Sequence, residues 1–364
     1  MDQTKTERNA LIDYLRFVMV MLIVLCHFYS WQGVKGFDFL YLVVEFFPII
    51  AGYLFMESLS REKQDIALSS YAWKRFKRLF PYTFLALIPL LCYQAVRSTE
   101  PILKQLLYAF PEMFLISYNG MNGLWGTLNG PSWIILSIFL AELFLFSLCC
   151  VFKRKIITNL VLPVSVVWGY GYFAATGSPH QDAWLGLVNS GCFRAYIAIC
   201  LGGLLYLLGG KIKSIVWTKT GTALLSAVEL IAYGMCFALL LFCSSDVYQD
   251  SALRYVSTAL VSIGIVLTFS KVTITGRIKS SGFSRYLGKV SLTVCLTHSF
   301  IIEMFYRFFE FPQKYTVLFL GVVIVWAIVF QVLVDIFIKF LDEMGICLKC
   351  SMMQSKQDRD GAEN

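Results

Sequence analysis

The chain has 364 residues, of which 58% are hydrophobic and 15% charged, with a mean hydropathy of +0.68. That apolar share exceeds what an ordinary soluble domain carries and identifies an integral membrane protein. The net charge of +8 is spread over short loops between apolar runs rather than gathered in one patch, so it needs no nucleic-acid partner to account for it and none is expected.

In chain order, apolar runs long enough to cross a hydrocarbon core of about 30 Å predict ten spans, near 11–31, 39–57, 79–97, 131–152, 156–175, 189–209, 221–243, 252–270, 287–306 and 315–340. The expected fold is an all-α integral membrane protein. Residues 1–345 form one polytopic membrane domain and 346–364 a polar tail. The N-terminal run is too long for a signal-peptide core and is read as a retained first span. The stretch from Ile102 is interrupted by Lys104, Pro111 and Glu112 and is expected to stay outside the bilayer. With both termini cytoplasmic, 24 of the 31 Lys and Arg fall at inner positions and 7 at outer ones.

The first span carries the densest chemistry. Asp13, Arg16 and His27 lie on one helical stripe, since eleven residues at about 100° each return almost to the starting direction. Asp13 is placed to pair with Arg16 at i, i+3. With Arg16 at the inner boundary, the rise of about 1.5 Å per residue puts His27 near mid-membrane. Ionisable groups inside a membrane are costly and mark functional sites, and imidazole suits general-base work, so His27 is the candidate base.

"KRFKR" at 74–78 supplies Lys74, Arg75, Lys77 and Arg78 immediately before a third span that Pro81 opens. Such clusters anchor helices at anionic lipid; four cations at a cavity mouth also suit the phosphates of a nucleotide-like donor. The loop 117–133 mixes Asn119, Asn122 and Asn129 with Trp125 and Trp133. That composition fits either an ordinary polar loop or a platform for a sugar. In the next span Glu142 is a candidate substrate contact, while Ser137 is read as structural because no third group orients it as a nucleophile. His298, in a late span, either packs against a neighbouring helix or lines the same cavity as His27. Cys347 and Cys350 supply two ligands where zinc takes four, so no metal is expected.

Five segments in order resemble the membrane acyltransferase family 3. They are "LIDYLRFVMVMLIVLCHF", "VEFFPIIAGYLF", "YAWKRFKRLFPYTF", "GPSWIILSIFLAEL" and, more loosely, "VSLTVCLTHSFII". The spacing from Trp133 to Glu142 is similar to that of the fucose-acetylase-like branch. Ala51 stands where the family's pattern has Ser, and lysines alternate with arginines in the basic motif. The resemblance implies a multi-pass protein of a bacterial plasma membrane, with acetyl-CoA as acyl donor. It implies a glycan or lipid-linked sugar as acceptor, His27 as base, Arg16 as an essential arginine, and Arg75 and Arg78 as donor-binding residues. A glycan exporter would share the buried charges and the aromatic loop without needing a donor site.

Overall fold

The computed structural model describes residues 9–362 apart from 32, 35–36, 62–66, 100, 117–127, 177–183, 186–187, 243–250 and 310–311; within 346–362 only the backbone is described. Eleven helices carry the architecture among these residues. They are α1 (Ala10–Ser30), α2 (Phe46–Arg61, entered through a 3₁₀ stretch Asp38–Glu45), α3 (Leu68–Arg97), α4 (Ile102–Met113), α5 (Trp133–Val151), α6 (Arg154–Thr176), α7 (Ser190–Ser214), α8 (Lys219–Phe242), α9 (Ser251–Ser270), α10 (Gly282–Phe308) and α11 (Thr316–Ala362). All but α4 are long and apolar enough to cross a membrane, giving the ten spans the hydropathy predicts. A two-residue antiparallel pair, Trp184–Leu185 with Val188–Asn189, lies before α7.

Helix starts follow local capping chemistry. Asn9 accepts from the Ile12 N–H to open α1, Asn189 from Gly191 to open α7, and Ser281 from Ser284 to open α10. The third helix departs from expectation. It begins at Leu68, so the basic cluster and Pro81 lie inside it rather than before it. Thirty residues extend about 45 Å. That exceeds the hydrocarbon core by roughly 15 Å, so the cation-bearing turns can stay helical while clear of lipid.

Packing is tightest between α2 and α7. A Cβ on Gly52 would collide with the Ile199 carbonyl oxygen, and one on Gly202 with that of Ile49, so these glycines permit backbone-to-backbone approach. Parallel to α1 runs α10, which fixes the frame of the site. The side chain of Asn9 donates to the Thr275 and Gly276 carbonyls at one end, and Phe28 packs on Phe305 and Tyr306 at the other. Antiparallel to both, α11 stacks Phe319 on Phe28. Large apolar side chains such as Val317, Val325 and Ile336 on α11, and Trp168 on α6, point outward, as expected where lipid is the solvent. The near end of the bundle is where α1, α3 and α10 begin; the far end is where they finish.

Candidate active site

The stripe on α1 faces α10 along its whole length. At the near end the Asp13 carboxylate accepts from Ser280 Oγ at 2.6 Å and abuts Gly288, where a Cβ would lie 2.8 Å from Oδ1. The expected i, i+3 ion pair with Arg16 is therefore replaced by a contact to the start of α10. The side chain of Arg16 turns into a cleft of about 1130 Å³ bounded by α1, α3, α10 and α11. Lys77, Arg78 and Lys289 join Arg16 in its wall, against Asp335 and Asp342, with Trp73 and Phe76 also lining it.

The four cations of the basic motif thus divide. Lys77 and Arg78 line the cleft, while Lys74 is exposed outside its lining. Arg75 is not in that lining and is held instead against α5, donating to Glu142 Oε1 at 3.0 Å and to the Tyr71 hydroxyl at 3.1 Å. Helical spacing alone does not produce this split, since Arg75 and Arg78 are three residues apart on α3; the ion pair with Glu142 is what ties Arg75 to α5. Glu142, almost fully buried, is engaged by Arg75. Ser137, also buried, accepts from the Cys192 thiol at 3.6 Å.

At the deep end of the cleft, Tyr82 meets a polar cluster. Gln331 donates to the Tyr82 hydroxyl at 3.3 Å and to Asp335 Oδ1 at 3.1 Å, and it accepts from Thr293 at 2.7 Å. From Leu292 in the cleft wall to His298 is six residues of α10, about 9 Å along the axis.

There the two histidines meet. His27 Nδ1 and His298 Nε2 are 2.8 Å apart, and His298 Nδ1 lies 2.9 Å from the Val294 carbonyl oxygen. The rings are inclined by 13° with centroids 5.1 Å apart, an edge-to-edge arrangement joined by a hydrogen bond rather than a face-to-face stack. His298 is fully buried and His27 half-buried. Because α1 already begins at Ala10, Arg16 sits well inside it. His27 then falls in the last turn of α1, about 26 Å from the helix start.

On the far side, the segment after the undescribed loop is clamped onto α10. Glu112 accepts from the Leu128 N–H at 2.7 Å and from the Asn129 N–H. Asn129 in turn donates to the Leu296 carbonyl at 2.8 Å and accepts from Ser299 at 3.0 Å, on either side of His298. Burial pushes the Glu112 carboxyl up to about 8, against the pull of those two backbone donors. Sequence reasoning treated Glu112 as an interruption of a span; the signal for its role was the pairing of a carboxylate with an Asn-Gly-rich loop, which hydropathy does not weigh. Trp133 is buried against Tyr41 at 6.4 Å rather than presented as an open platform. Asn122 and Trp125 lie outside the described residues.

The chemistry available is a cationic cleft at one end and a paired-imidazole centre toward the other, on the same two parallel helices. No curated protein and no solved structure matches the chain. A family model described as an acyltransferase domain matches residues 9–335, nearly the whole chain. With ten membrane-length helices and this match, the chain belongs to the acyltransferase family 3.

Proposed function

We propose that this membrane acyltransferase moves an acetyl group from acetyl-CoA to a hydroxyl of a cell-surface or lipid-linked sugar, with the near end of the bundle facing the cytoplasm. The observation that carries this reading is the arrangement of a cationic cleft and a histidine pair along α1 and α10. Arg16, Lys77, Arg78 and Lys289 suit the phosphates of acyl-CoA, and Trp73, exposed beside Lys77, offers a face for its adenine. The thioester arm would enter past Tyr82 toward His27. An acceptor hydroxyl would come from the far end, where Glu112 holds Leu128 and Asn129 against the turn of α10 that carries His298. His27 would then take the hydroxyl proton as the oxygen attacks the thioester carbonyl.

The test is mass spectrometry of surface glycans from cells with and without the gene, paired with purified protein supplied with isotopically labelled acetyl-CoA. Label transferred to a glycan hydroxyl is expected. A glycan that changes location without gaining the label would replace this reading with export, and a larger mass increment would replace acetyl with another acyl group.

A further inference from the structure

We propose that His298 is a positioning residue that holds His27 as its Nδ1–H tautomer, leaving His27 Nε2 as the atom that accepts the proton. A backbone carbonyl oxygen only accepts, so His298 Nδ1, 2.9 Å from the Val294 oxygen, must carry a hydrogen. The neutral His298 ring then presents a lone pair at Nε2. That lone pair faces His27 Nδ1 at 2.8 Å, which must donate in turn. His27 Nε2 is left with the free lone pair.

The near-coplanar rings keep the bond between them in the imidazole planes, where the lone pairs lie. Among the described residues neither ring is bonded to a carboxylate, so orientation here comes from a backbone carbonyl relayed through a second imidazole. The second ring is rigid for a local reason. It sits fully buried on α10 and is bonded one turn back along its own helix, while Asn129 braces the same turn through Leu296 and Ser299.

The tautomer assignment stands on geometry alone; its use in catalysis rests on the acyl-transfer reading above. In that step the acceptor O–H proton passes to His27 Nε2, the C–O bond forms, the C–S bond of the thioester breaks, and the departing CoA sulfur takes the proton back from Nε2. Throughout, Nδ1–H stays bonded to His298, which stops the ring from turning its protonated edge toward the substrate.

The chain has three histidines, so full-length protein labelled with ¹⁵N-histidine in nanodiscs gives few enough ring signals to assign by comparison with His27→Gln and His298→Gln variants. At neutral pH, wild-type His27 is expected to show a protonated Nδ1 and an unprotonated Nε2. His298→Leu should convert His27 to a mixture of tautomers and lower kcat about 10²-fold, with KM for acetyl-CoA changed little. His298→Gln, whose Oε1 can accept from His27 Nδ1–H, should keep the His27 signature and most of kcat.

A wild-type His27 protonated at Nε2 would overturn the proposal. So would a His298→Leu variant with unaltered signature and kcat. Loss of transfer in His298→Gln with the His27 signature intact would also overturn it, by showing that His298 itself carries the proton. If the wild-type protein shows the expected tautomer yet transfers no acyl group, it is the function that fails and not the hydrogen-bond assignment.

Discussion

Arg75 and Glu142 join α3 to α5 through a 3.0 Å hydrogen-bonded ion pair, which takes Arg75 out of the cationic cleft that its neighbours Lys77 and Arg78 line. Residues that look like one basic cluster therefore do two jobs, one holding helices and one facing the cleft. Removing either member of a largely buried pair leaves the other uncompensated. Glu142→Gln and Arg75→Ala are each expected to lower stability by about 1–3 kcal/mol. In a double-mutant cycle followed by thermal unfolding in detergent, the two losses should be clearly non-additive; simple additivity would mean the pair contributes nothing.

Arg78→Ala should act differently. Arg78 lies in the cleft wall, and its loss is expected to raise KM for acetyl-CoA about tenfold while kcat stays close to wild type. Higher ionic strength should weaken donor binding to the wild-type protein as well, because salt screens attraction between phosphates and cations. An unchanged KM in Arg78→Ala would place the phosphates elsewhere.

His27→Gln keeps a hydrogen-bonding side chain but no group able to take a proton near neutral pH. Transfer should drop by about 10²–10⁴-fold with near-normal expression and monodispersity. Substantial activity in the purified variant would make His27 a helix-contact residue only.

Glu112 gives the far-end clamp a pH dependence. Its folded pKa is raised from 4.5 to about 8, chiefly by burial, so the folded state holds the proton more tightly than the unfolded chain. The stability this supplies is full below about pH 4.5 and is lost as pH rises through about 8, on the order of 2–4 kcal/mol. The melting temperature is expected to decline between pH 5 and pH 9, and Glu112→Gln should flatten that decline. A wild-type profile that rises over the same interval would contradict the assignment.

Gly52→Ala tests the closest helix contact. The added methyl meets the Ile199 carbonyl, a backbone atom that cannot swing aside, so α2 and α7 must separate. A cost of about 3 kcal/mol or more is expected, seen as poor recovery of folded protein. Gly210→Ala, with open space around it, is the control and should be tolerated.

The number of spans was legible because hydropathy is a local property: about 20 apolar residues must cross or be buried, whichever neighbours they meet. The stripe of Asp13, Arg16 and His27 was legible for the same reason, since helical periodicity alone puts them on one face, and that face does meet α10. Basic residues read as a block at 74–78, because composition does not register which way a side chain leaves the helix.

Tertiary structure decided what the sequence left open. His298 was equally a packing residue or a cavity residue until the parallel docking of α1 and α10 brought it 2.8 Å from His27, across 271 positions. The same holds for Glu112, whose partners Leu128 and Asn129 lie 16 and 17 residues on and are met only in the folded chain. The sequence by itself determined which segments are helical, how many cross, and which face of α1 carries the ionisable groups. Which helices pack together, which cations share the cleft, and which atom of His27 is left free depend on side chains distant in the chain, and only burial against one another brings those together.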